Sequence, residues 1–119
     1  MKAIKFNWKE LDLKYDLYIT TSNYSNNGRL YVGLVYYDTE INDYECFTDL
    51  TINIPMYMLE SDNEIILSND TPKELIDLLL KLGIITDTYK VAYSGYGQYQ
   101  VVLFNKEIAK EYMLEKGLI

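Results

Sequence analysis

The densest run of ionisable side chains lies in the middle of the chain. Asp38, Glu40, Asp43, Glu45, Asp49, Glu60, Asp62, Glu64 and Asp70 supply nine carboxylates between Arg29 and Lys73, a stretch with no Lys or Arg inside it. Like charges held within a Debye length of about 8 Å raise one another's potential, so the stretch predicts an anionic surface that draws a cationic partner and repels phosphate. Its natural counterpart is the basic, nucleic-acid-binding groove of a host protein, with Asp38, Glu40, Asp43, Glu45, Asp49, Glu60, Asp62 and Glu64 as contact residues. The competing reading is a solvated face that confers solubility alone. These acids do not read as a metal site, because Asp38, Glu40, Asp43 and Glu45 lack the central glycine and spacing of an EF-hand loop. Glycoside chemistry needs one acid buried in an apolar pocket, and every acid here has a plausible solvent-facing place.

Ser94-Gly95-Tyr96-Gly97-Gln98-Tyr99 is the second constellation, two aromatics beside backbone that a ligand can approach closely. A nucleotide base or other small molecule stacked on Tyr96 and Tyr99 is one reading; a tight hairpin turn with Tyr packed across it is the other. No third glycine opens a helix and no Gly-Lys-Ser/Thr follows, so neither a dinucleotide fingerprint nor a phosphate loop is present. Thirteen tyrosines stand out in this composition. Large, rigid and hydroxyl-tipped, they suit protein interfaces, with Tyr24, Tyr36, Tyr37, Tyr44, Tyr96 and Tyr99 the candidates for exposure at strand ends and turns.

Much catalytic chemistry is excluded by what is missing. There is no histidine, hence no Ser–His pair, no His–carboxylate relay and no imidazole ligand. A single cysteine, Cys46, allows neither an intramolecular disulfide nor a thiolate zinc cage, and its place in a strand pattern predicts an inert core thiol. A net charge of −7 and a pI near 4.5 argue against duplex nucleic acid as partner. Charged residues interrupt every apolar run near the amino terminus, and no run reaches the ~20 residues of a membrane span. The expectation is a non-enzymatic cytoplasmic protein without cofactor or metal.

The elements that must position these residues fit one domain, residues 1–119. Leu13 to Thr20 alternates as a half-buried strand, with Leu13, Tyr15, Leu17 and Ile19 inward; Ser25 to Gly28 turns; Leu30 to Tyr37 returns as a tyrosine-rich strand, able as an edge to pair with a second copy of the chain. Tyr44 to Ile54 alternates again, with Cys46, Thr48 and Leu50 on one face and Phe47 on the other, up to Pro55. Thr71-Pro72-Lys73-Glu74 reads as a capping box for a helix over Pro72–Leu82 that ends at Gly83. Tyr89–Tyr93 and Gln98–Phe104 form a second hairpin. Asn105 caps a last helix with Ile108–Tyr112 and Ala109–Met113 pairs, ending before Gly117. The predicted fold is α+β, a mainly antiparallel sheet of about five strands with two helices packed on one face.

Three phrases, Asn26-Asn27-Gly28-Arg29-Leu30, Asp49-Leu50-Thr51-Ile52-Asn53-Ile54 and Ser94-Gly95-Tyr96 followed by Phe104-Asn105, resemble a family of uncharacterised small bacterial proteins. That family is a domain of unknown function carried on phages, plasmids and conjugative elements, and the resemblance spans about residues 13–114. A Cys and a Pro usually stand in the family where Gly97 and Gln100 stand here. The resemblance implies no activity. It implies a context, that of accessory or anti-defence factors of mobile elements, inhibitors of CRISPR effectors among them, that work by binding a host protein.

Overall fold

The alternation over 13–20 is realised in its second half, with Leu17 and Ile19 buried and Lys14 and Asp16 facing water, while Leu13, expected inward, is 42% exposed at the start of its strand. The structure, a computed structural model, describes residues 1–115. The elements are β1 (Ile4–Trp8), β2 (Leu13–Asn23), β3 (Leu30–Asp38), β4 (Asp43–Asp49), β5 (Glu64–Ile66), α1 (Lys73–Lys81), β6 (Ile85–Ser94), β7 (Gly97–Phe104) and α2 (Lys106–Ala109). The strands form two antiparallel sheets, ordered β1-β2-β3-β4 and β5-β7-β6. The α+β class therefore holds, but the single sheet of about five strands is replaced by seven strands in two sheets. The two unexpected strands are short: β1 alternates Ile4 and Phe6 inward with Lys5 and Asn7 outward, and β5 is three buried residues with no period to read.

β3 is hydrogen-bonded on both sides, to β2 and to β4, so it is an interior strand and its edge is not open to a second copy of the chain. β4 ends at Asp49, five residues before the expected stop. A bulge causes part of this: Leu34 faces Thr48 while Val35 faces Cys46, leaving Phe47 as the extra residue. The bulge inverts the phase. Phe47 turns onto the core against Tyr15 at 4.7 Å, Trp8 at 5.8 Å and Phe6 at 5.9 Å, and Cys46, expected inside, is exposed. Beyond Asp49 the chain crosses between the sheets. Leu50 N–H donates to Val32 O in the first, while Ser68 N–H donates to Leu50 O and Ile52 N–H to Ile66 O.

The helices are arranged differently from the expectation of two on one face. α1 packs against β1 of one sheet and β6 of the other, its Leu75 and Leu79 fully buried in a core that also holds Phe6, Leu17, Leu34, Ile85, Val102 and Phe104. The capping box does not form: Pro72 is the N-cap residue with no side-chain bond, and the buried Thr71 hydroxyl pairs with Thr48 Oγ1 at 3.3 Å. The C-terminal stop is as expected, Gly83 at φ +78° with Ile84 N–H on Leu79 O and Gly83 N–H on Leu80 O, the two bonds of a Schellman motif. The last helix is only one turn, followed by a 3-10 turn over Lys110–Tyr112. Met113 is already extended and bridges in parallel to Ile19, so the expected i,i+4 pairs lack a continuous helix to carry them. Asn105 does not cap; its amide donates to Gly83 O at 2.7 Å and Thr86 Oγ1 at 2.9 Å. The expected end at Gly117 lies outside the described residues.

Candidate protein-binding face

In β2, β3 and β4 the residues opposite the core share one outer face. Tyr18 stands beside Val35, Val35 beside Cys46, and Tyr37 beside Tyr44. The rings interlock edge to face, Tyr18 on Tyr44 at 6.1 Å and Tyr37 on Tyr44 at 5.2 Å. Such pairs add about 1 kcal/mol beyond burial and fix the rings in one arrangement. With Tyr37 46% exposed and Cys46 exposed, the face meets solvent.

Four of the sequence-predicted acids lie in the β3–β4 hairpin, at the end of these strands. Asp38 and Asp43 are partners in register, Glu45 pairs with Tyr36, and Glu40 lies in the connecting turn with the 52%-exposed Ile41. Local bonds order the turn: Glu40 N–H donates to Asp38 Oδ1 at 2.9 Å and Tyr44 N–H to Asp43 Oδ1 at 2.7 Å. Burial, helped by the Asp38 and Glu45 charges, raises the Tyr36 phenol above its ordinary value. The hairpin is thus two-sided, with Tyr37 and Tyr44 on the outer face and Asp38, Asp43 and Glu45 on the face of Tyr36.

The other acids lie elsewhere. Asp49 is at the far end of β4, where it accepts the Tyr31 hydroxyl at 2.5 Å. Tyr31 reaches it across Gly33, the residue opposite Asp49 and one with no room for a Cβ. Burial, and then Asp49, raises the Tyr31 phenol; burial and the same carboxylate raise the Cys46 thiol, which points its S–H at Asp49 Oδ1 from 3.9 Å. Cys46 is thus outside the core yet held protonated. Glu60 and Asp62 belong to the loop before β5 and line a cavity with Leu30, at the end of β3 away from Asp38. Glu64, expected to face a partner, is 3% exposed and paired with Lys90, which also meets Glu60 at 3.2 Å. The acidic stretch of the sequence is therefore no single surface: folding separates its carboxylates and Lys90 neutralises part of it.

Tyr96 is fully exposed at the tip of the β6–β7 turn, where Gly95 has φ +58°. Tyr99 folds back over Gly97, which has no space for a side chain, and joins the small core of Ile54, Ile66, Ala92 and Val101. Among the described residues no aromatic contact links Tyr96 to Tyr99. Of the other tyrosines expected at the surface, Tyr24 is packed on Tyr31 and hydrogen-bonded to Thr51, and Tyr36 lies against Tyr15 on the core side. Tyr89 and Tyr93, exposed at 89% and 66%, were missed because apolar residues in a strand pattern read as buried. Met56 and Met58 are exposed at 92% and 80% on a loop that Arg29 holds by its carbonyls; Pro55 is the signal that the chain leaves the sheet there.

Among the described residues no helix is long and apolar enough to cross a membrane, and no cluster of His, Cys, Asp or Glu is arranged to hold a metal ion. The model of a family described as a domain of unknown function, DUF4313, matches residues 18–117, and the chain belongs to that family. No curated protein and no solved structure matches it.

Proposed function

We propose that this member of the DUF4313 family acts without catalysis, by binding a basic protein surface through the tyrosine face of its first sheet and the acidic hairpin at its end. The observation that carries the reading is the exposed Tyr37–Tyr44 pair on one face of the β3–β4 hairpin, with Glu40 and Ile41 in its turn and Asp38, Asp43 and Glu45 on the other face of the same hairpin. Aromatic centres with a charged rim are the anatomy of protein interfaces: the rings supply contact area at low entropic cost, and the rim sets charge sign and association rate. A partner that normally holds nucleic acid in a basic groove has the complementary charge, and occupying that groove would block it. Such blocking is how an anti-defence factor of a mobile element, a CRISPR inhibitor included, would work in the cytoplasm of its host.

The test is a pull-down from host lysate with wild type and with the charge reversal Asp38→Lys/Glu40→Lys/Asp43→Lys/Glu45→Lys, followed by titration of the purified complex. Loss of binding on reversal, with affinity falling as salt rises, is the expected result. A complex equally tight at low salt with both proteins sinks the reading.

A further inference from the structure

The second sheet ends in an edge strand with an uncharged outer margin. β6 has β7 on one side only, in the order β5-β7-β6. Which of its main-chain groups face outward follows from β7. Gln100 O accepts the Leu67 N–H at 2.9 Å and Gln98 O accepts the Asn69 side-chain amide at 3.3 Å, so both residues turn their main-chain groups away from β6. Val91 stands opposite Gln100 and Tyr93 opposite Gln98. Opposed residues of an antiparallel pair point their main-chain groups either towards each other or both apart, so those of Val91 and Tyr93 are directed out of the sheet. The described chain ends elsewhere, with Leu114 N–H on Ile19 O of the first sheet and Glu115 at the amino terminus.

Strand edges are usually blunted by lysine, proline or a bulge. In β6 the bulge closes only the first part: Tyr89, at φ +62°, gives its N–H to Asp87 Oδ1 at 2.8 Å. From Val91 to Ser94 there is neither a charge nor a proline. Instead the strand and its turn hold aromatic side chains in water. Tyr89 and Tyr96 are almost wholly exposed, and Tyr93 shares a face with the half-exposed Val91. At ~200 Å² for a whole tyrosine side chain, these rings offer about 500 Å² on each copy. Two such edges together would cover about 1,000 Å², the lower bound of a specific protein contact.

We propose that β6 pairs antiparallel with β6 of a second copy of this chain, about a twofold axis at Ala92, joining the two three-stranded sheets edge to edge. The register follows from the residues. Setting Val91 against its own copy puts Tyr93 opposite Tyr89, whose N–H is taken and whose backbone is left-handed; setting Tyr93 against its own copy puts Val91 opposite Gly95 in the turn. Only Val91 opposite Tyr93 brings the outward groups of both residues onto each other, twice by symmetry. That register also makes a β-branched–aromatic cross-strand pair and places Ala92 against Ala92, where the strands come closest. Tyr89 then lies beside Gly95, where no atom occupies the place of a side chain. Lys90 meets Ser94, so no like charges are opposed. At long range the two copies, each of net charge −7, repel, and the dimer should tighten as salt rises, opposite to the partner binding proposed above.

The experiment is sedimentation equilibrium of the full chain from about 10 μM to about 1 mM, since a contact of this size is weak. The expected result is a concentration-dependent dimer, favoured by salt, with an inter-copy NOE between the two Ala92 Hα protons in a mixture of labelled and unlabelled chain. Val91→Lys/Tyr93→Lys alters two side chains that reach solvent, so it should keep the exchange protection of the β7 amides and weaken the dimer at least tenfold. Tyr37→Ala, on the first sheet, should dimerise as wild type does. A monomer throughout the series, a dimer indifferent to the lysine pair, one lost in Tyr37→Ala, or an inter-copy contact that leaves out Ala92 would overturn the proposal. The NOE needs no variant, so the register stays testable whatever the lysine pair does to folding.

Discussion

Lys90 on β6 reaches over Val101 to the buried carboxylate of Glu64 on β5, and the two ends of the second sheet are tied across its central strand. Glu64 Oε1 also accepts Glu60 N–H at 3.0 Å, so one carboxylate locks both the sheet and the loop leading into it. Lys90 is aimed by a bulge between Asp87 and Lys90, in which Tyr89 takes φ +62° and Thr88 Oγ1 donates to Val101 O at 2.6 Å. Lys90→Met should lower the urea midpoint clearly, because it leaves Glu64 charged and enclosed. Glu64→Gln added to it should restore part of the loss; a double variant no better than the single one would show that the pair is not coupled.

Arg29 should be the keystone of the loop after the first sheet. It donates to Ile54 O at 2.8 Å and Tyr57 O at 2.5 Å, while Asn27 Nδ2 donates to Asn53 Oδ1 at 3.0 Å. Arg29→Met is expected to cost about 2 kcal/mol in urea unfolding and to speed hydrogen exchange around residues 54–59. Arg29→Lys should recover little, since one ammonium cannot reproduce the fork.

Stability should fall as pH rises from about 9. Cys46, Tyr31, Tyr36 and Lys90 all have their protonated forms favoured in the fold, relative to ordinary values of 9.0, 10.0 and 10.5. Such groups contribute fully below the unfolded pKa, and that contribution drains away as pH climbs towards the folded one. Tyr31→Phe should flatten the decline above pH 10, read by urea midpoints at successive pH values.

Cys46 should alkylate slowly at neutral pH although it is exposed, because the reactive species is the thiolate. The rate of iodoacetamide reaction should titrate above 9.0, and Asp49→Asn should bring that midpoint down. A neutral or lower midpoint in the native protein would contradict the assigned role of Asp49.

Tyr37→Ala and Tyr44→Ala should each weaken the proposed complex about tenfold or more while leaving the fold intact, as central interface aromatics do. Asp62→Lys, on the distant loop, should change affinity little. Equal effects from all three would move the interface away from the hairpin.

Local periodicity and turn chemistry determined a good deal of this protein in advance. The inward set of Leu17 and Ile19, the Gly83 stop and the β6–β7 turn depend on neighbours in sequence, where steric and hydrogen-bonding rules act over a few residues. The phrases that carry the family resemblance turn out to be partly structural. Asn27 and Arg29 of the first clasp Asn53 and Ile54 of the second, and Asn105 ties Gly83 to Thr86.

What only the tertiary structure decided is which side each ambiguous residue takes. The bulge at Phe47 reversed Cys46, Thr48 left Thr71 no hydroxyl free for a cap, and Lys90 drew Glu64 out of the acidic exterior. Each outcome depends on a partner 11 or more positions away in sequence, and pairing energies of that range do not register in the pattern of one strand. Charge along a chain is additive, so net −7 could be counted from the residues alone. Where that charge stands depends on which strands lie side by side, and that was settled by packing.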